Sequence, residues 1–177
     1  MFQRILSRFQ KKRNVHLLYS KIVEQARLPE FYLEMGVDDS VDGRFDMILL
    51  HMFLVIKRLE EEGDSEQMLQ RQLQEVFVTD MDRSLREMGV GDMSVGKQVK
   101  KMSVAWFGRS KAYREALEAD DDNKLLEEAL TRNVFRGEPE ESVKQLARYV
   151  QHCSSSLRQQ NIHDMKAGPD FSSPLAQ

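Results

Sequence analysis

One cysteine, four prolines and one tryptophan are spread through 177 residues. With Cys153 alone, the chain forms no intramolecular disulfide and cannot build a thiolate zinc site. The four prolines and nine glycines cluster between periodic segments. No stretch alternates apolar and polar residues with period two for long enough to make a strand. The longest apolar run, 45–56, is interrupted by Asp46 and His51 and falls short of the roughly 18 residues that cross a bilayer. The N-terminus lacks the uncharged apolar core and small-residue cleavage site of a signal peptide, so a protein that is not secreted is expected. A formal net charge of −3 is the wrong sign for a dedicated nucleic-acid binder, and no DNA partner is expected.

Apolar residues recur at i, i+3, i+4 and i+7 almost everywhere, with 41% hydrophobic and 31% charged residues, which predicts a globular all-α protein. The expected architecture is a single compact domain of about six to seven helices around a central apolar helix. A basic segment, 1–13, precedes the domain at 14–160, and a polar, flexible tail follows at 161–177. The periodicity predicts helices over 2–10 and 14–27, with Leu18, Ile22 and Ala26 inward. A short turn opens at Pro29 and ends at Gly36. A helix to about Glu62 is apolar on nearly every side between residues 45 and 56, the mark of a buried central helix. Asp64 or Ser65 is expected to cap the next helix, whose core stripe is Leu69, Leu73, Val76, Phe77, Met81, Leu85 and Met88. Ser94 is expected to cap a long helix carrying Val95, Val99, Met102, Trp106, Tyr113 and Leu117 on one face. A short helix follows from about 120, and a final helix starts at Pro139 and carries Val143, Leu146, Ala147, Val150 and Leu157.

The catalytic and metal-binding readings are weak. The four histidines, His16, His51, His152 and His163, form no HExxH pair or similar close ligand set. His51 follows Asp46 by five residues, about 500° round a helix, so the two face different ways; a hydrogen-bonded core role fits His51 better than a ligand or base. Cys153 has no oriented base beside it in the sequence. Gly89, Gly91 and Gly96-Lys97 lack the Walker spacing, and no strand precedes them. No cofactor, no metal and no enzymatic activity are expected.

The charge pattern is more informative. No acidic residue occurs between 93 and 114, while Lys97, Lys100, Lys101, Arg109, Lys111 and Arg114 fall there with Trp106 and Phe107. Several of these bases share a helical face. Such a face is either simply solvated or a contact surface for an anionic partner: RNA, lipid headgroups or an acidic protein. Glu60, Glu61 and Glu62, and Asp120, Asp121 and Asp122, are placed to neutralise part of it. The first thirteen residues hold five bases and no acid, with Phe2, Ile5, Leu6 and Phe9 on one face and Arg4 and Arg8 among the bases. That describes either an interfacial helix at an anionic membrane surface or a terminal helix docked on the core. The ten methionines fall mostly in core stripes.

Several runs stand in a characteristic order: Leu28-Pro29-Glu30-Phe31-Tyr32, Asp42-Gly43-Arg44-Phe45-Asp46, ILLHMFLVIKRL at 48–59, Phe77, Met81-Asp82, the run 85–92, VGKQVKKM at 95–102 and FGRSKAYREAL at 107–117. From about 29 to 149 this order and spacing resemble the ubiquinol–cytochrome c chaperone family, which assists assembly of the cytochrome bc1 complex. The resemblance implies an all-helical, non-enzymatic factor that holds newly made cytochrome b, or another bc1 subunit, before maturation. It also implies a small partner subunit, as in mitochondrial members. With no targeting segment in view, a bacterial member at the cytoplasmic face of the inner membrane is expected, as a monomer or weak oligomer. The alternative is a peripheral membrane- or RNA-binding adaptor with no folding client.

Overall fold

The computed structural model describes residues 2–119, 122–137 and 140–174, with side chains from 13 onward except that of Glu140. Helix α1 (Phe2–Ala26) is followed by a short α2 (Pro29–Leu33), then α3 (Val41–Glu61), a 3-10 turn (Gly63–Glu66) and α4 (Gln67–Glu87). Helix α5 (Asp92–Glu118), α6 (Lys124–Leu130) with a π turn (Thr131–Phe135), α7 (Glu140–Gln159) and α8 (Ile162–Ala167) complete it. The fold is all-α, as the periodicity predicts.

Helix α3 is the axis of the domain. Every residue from Asp46 to Leu59 is buried, because α1, α4, α5 and α7 pack round it. Its start is fixed by two local devices. The Ser40 side chain accepts a hydrogen bond from the Gly43 amide at 3.2 Å, filling one of the free N–H groups of the first turn. Gly43 itself lies against the chain before it: a Cβ there would sit 1.9 Å from the Asp38 carbonyl oxygen, which only glycine avoids. At the other end, the buried Arg58 donates to the Leu157 carbonyl at 2.9 Å and pairs with Glu62 at 2.6 Å. A cation is thus set among the last carbonyls of α7, where the helix dipole favours it.

Several boundaries differ from the expected ones. The two N-terminal segments join into one helix, α1, because nothing between residues 10 and 14 breaks it. No side chain caps α4: the turn at Gly63–Glu66 runs straight into it, leaving Asp64 and Ser65 outside the cap position. Helix α5 starts two residues before Ser94, with Gly91 at its N-cap. In the stripe expected of α4, Leu73, Phe77, Met81 and Leu85 are buried, but Met88 is exposed.

The segment expected to be a flexible tail is packed from 162 to 174. Met165 and Phe171 are buried in the core, Asn161 caps α8 by accepting from the His163 amide, and Gln160 and Asp170 exchange two hydrogen bonds. A few apolar side chains, with Pro169 and Pro174 also buried and Ile162 against the core, seat a polar segment whose backbone finds partners.

Candidate partner-binding surface

Helix α5 has two faces. Val95, Trp106, Tyr113 and Ala116 are buried against the domain, with Met102 and Leu117 half-buried beside them. The opposite side carries Lys97, Lys100, Lys101, Val104, Phe107, Gly108 and Lys111, all exposed. These positions fall at i, i+3, i+4, i+7, i+10, i+11 and i+14, one stripe of an α-helix. Phe107 is 67% exposed and Val104 65%.

The structure divides the expected basic cluster into two groups. Arg109 lies toward the core, its guanidinium 2.5 Å from the Asp46 carboxylate and over the Phe45 ring. Arg114 pairs with Glu60 at 2.6 Å, one of the acids expected to neutralise this region. Those two arginines join α5 to α3. Lys111 approaches Glu115 only to 3.8 Å, with both side chains exposed. Lys97, Lys100 and Lys101 have no ion pair among the described residues and form the free positive surface, on the same stripe as Phe107. Asp120 and Asp121, and the side chains of Phe2, Arg4, Ile5, Leu6, Arg8 and Phe9, lie outside what the structure describes.

Asp46 is 1% exposed and held by two guanidiniums, Arg109 and, at 2.9 Å, Arg136. Arg136 reaches it because the π turn ends there in a left-handed residue, φ +54°. Burial pushes the Asp46 carboxyl up to about 6 against the pull of the two arginines, so it remains the anion at neutral pH. Arg136 is a member of this clamp that no spacing in the sequence reveals. An aspartate inside a run of buried apolar residues was the available signal that some base must face it.

His51 is a core residue. Its Nδ1–H donates to the Met47 carbonyl at 2.8 Å, and the Tyr149 hydroxyl donates to Nε2 at 2.7 Å, while Gln25 donates to that same hydroxyl. Phe31 and Phe171 pack edge-on against the imidazole. Burial pushes its pKa down to about 4, so the ring is neutral. Cys153 is fully buried and burial pushes its thiol up, away from the reactive thiolate. Among the described residues no group of His, Cys, Asp and Glu is placed to hold a metal.

The His51 environment predicts a pH dependence. The unfolded ring takes a proton near 6.5 and the folded ring only near 4. His51 therefore contributes stability that is complete above pH 6.5 and lost as pH falls to 4, by about 3 kcal/mol in all. The raised carboxyl of Asp46 acts in the opposite sense, losing stability as pH rises through 6. The readout is thus the difference between the wild type and His51→Gln in urea melts at pH 7 and pH 4. The variant should be the less stable at pH 7 and the gap should narrow by pH 4. An equal gap at both values would mean that the ring is not held neutral.

The model of the family described as ubiquinol-cytochrome C chaperone matches residues 33–169. The chain belongs to this family. Relatives include the ubiquinol-cytochrome c reductase complex assembly factor 1 of Mus musculus, 25% identical over 150 residues, and of Homo sapiens, 26% identical over 150. Each alignment covers 84% of this chain and 50% of the relative, so the chain spans about half the length of these curated relatives. The crystal structure of the Cbp3 homolog from Brucella abortus superposes with a TM-score of 0.84 at 33% identity, covering 98% of each chain. For this chaperone-family chain, the runs 42–46 and 107–117 that carry the resemblance turn out to be in contact, through Asp46 and Arg109. Among the described residues no helix is long and apolar enough to cross a membrane.

Proposed function

We propose that this chain is an assembly chaperone that binds newly made cytochrome b and supports biogenesis of the cytochrome bc1 complex. The reading rests on family membership together with one observation: among the described residues Lys97, Lys100 and Lys101 have no ion pair, and they share an exposed stripe with Phe107. Neither feature contributes to the fold, and unpaired surface charge is the usual means of drawing in a partner of opposite sign. The N-terminal segment, with its basic and apolar faces, would keep the chaperone at the cytoplasmic face of the membrane where the client is made.

Reversing Lys97, Lys100 and Lys101 to Glu should leave the melting temperature within a few degrees, because exposed charges contribute little to stability. The same change should strongly lower both cytochrome b co-purified from native membranes and the amount of assembled bc1 complex. Capture by the wild type should weaken as salt rises, since the Debye length shortens to about 8 Å at physiological ionic strength. Deleting residues 1–13 should spare folding and reduce sedimentation with anionic vesicles at low salt. A folded triple variant that assembles the complex normally would place the client elsewhere. Recovery of RNA or lipid without cytochrome b would support the adaptor reading instead.

A further inference from the structure

Gly108 lies deep inside α5, on the exposed stripe between Phe107 and Lys111, and the fold gives no reason for it. A Cβ built there would meet nothing within 4 Å, and its φ is not one that requires glycine. Glycine is the poorest helix former after proline, so an exposed, sterically unconstrained glycine weakens the helix it sits in. Alanine would fit and strengthen it. The one property that glycine adds is a notch, where another backbone can come close.

The side chains round the notch are arranged to match. Phe107 and Val104 stand beside it, exposed and apolar, and Lys97, Lys100 and Lys101 lie toward one end with Lys111 at the other. From 97 to 111 the stripe is about 21 Å long, the length of some four helical turns. A bilayer surface would use the lysines and the phenyl ring but has no use for a notch one residue wide. Nucleic acid would use the lysines, but the apolar pair offers no second ring for stacking bases.

We infer that the outward stripe of α5 is a seat for a partner helix, whose apolar side crosses Gly108 against Val104 and Phe107 and whose flanking carboxylates meet Lys97, Lys100, Lys101 and Lys111. The inference deepens the chaperone reading and rests on it only for the identity of the partner. The helix belongs to the client, and its recognition is by shape at the glycine and by charge at the ends.

The test uses the full-length chain in cells that make the bc1 complex, with the photoreactive residue benzoylphenylalanine in place of Val104. The same residue at the exposed Leu33 of α2 serves as control. Irradiation should give an adduct from position 104, absent from 33, that peptide mass spectrometry maps to a segment with apolar residues at helical spacing and carboxylates beside them. Adding Gly108→Ala should raise the melting temperature of the purified chain yet cut the adduct yield at least about fivefold. Gly96→Ala, also exposed and unconstrained but near the edge of the stripe, should stabilise the chain and spare the adduct. An adduct to lipid, RNA or a second copy of this chain overturns the inference, as does no adduct at all. So does a Gly108→Ala yield equal to wild type. A matching acidic helix in a protein outside the bc1 complex would uphold the seat and sink the proposed client.

Discussion

Replacing Asp46 by alanine is expected to destabilise the domain by about 3 kcal/mol, lowering the melting temperature by roughly 6–12 °C. The carboxylate is buried and the Arg109 side chain is only 19% exposed, so the substitution strands a mostly desolvated cation without a counterion. Breaking one side of such a pair is worse than removing both. The double variant Asp46→Leu, Arg109→Leu should therefore recover part of the loss, leaving the more exposed Arg136 with Asp42, at 3.9 Å, as its acidic partner. Thermal melts of the three proteins decide it. If Asp46→Ala melts with the wild type, the clamp between α3 and α5 contributes nothing to the fold.

An even larger loss, about 3–5 kcal/mol, is expected for Phe53→Ala. Phe53 is 1% exposed on the axis helix, and its ring centroid lies 5.6 Å from that of Tyr113 on α5. The cavity left behind has walls from several helices at once, and none can move in without disturbing the others. In urea the midpoint should fall while the slope stays that of the wild type, the sign of a less stable but equally compact protein. A loss below about 1 kcal/mol would show that the centre of the domain repacks, contrary to a helix enclosed on all sides.

The enclosure of α3 was legible in the sequence because a helix apolar all round has few places to go. The two faces of α5 were legible for a similar reason: the spacing of Val95, Val99, Met102 and Trp106 already put Lys97, Lys100 and Lys101 on the far side. Counting bases did not separate Arg109 and Arg114 from those lysines; their pairing with α3 does. The helical wheel sets Arg109 near the core side, but the charge count grouped it with the lysines; its partner Asp46 stands 63 positions earlier, and only the packing of α5 on α3 brings them together. Arg136 depended on a π turn and a left-handed residue that no local pattern announces. The segment after Gln160 looked polar on average, and averages miss single anchors such as Phe171, whose value lies in where it lands rather than in its neighbours.

The order in which α3 acquires its cover has a consequence for synthesis. Arg58 finds the Leu157 carbonyl 99 residues downstream, and His51 finds Tyr149 98 residues downstream and then Phe171. Until the chain has been made at least that far, the most apolar helix in the molecule has one side bare. A nascent or truncated product ending near 137 would thus present the same kind of sticky surface that a chaperone exists to shield, and should aggregate rather than persist as a shortened domain.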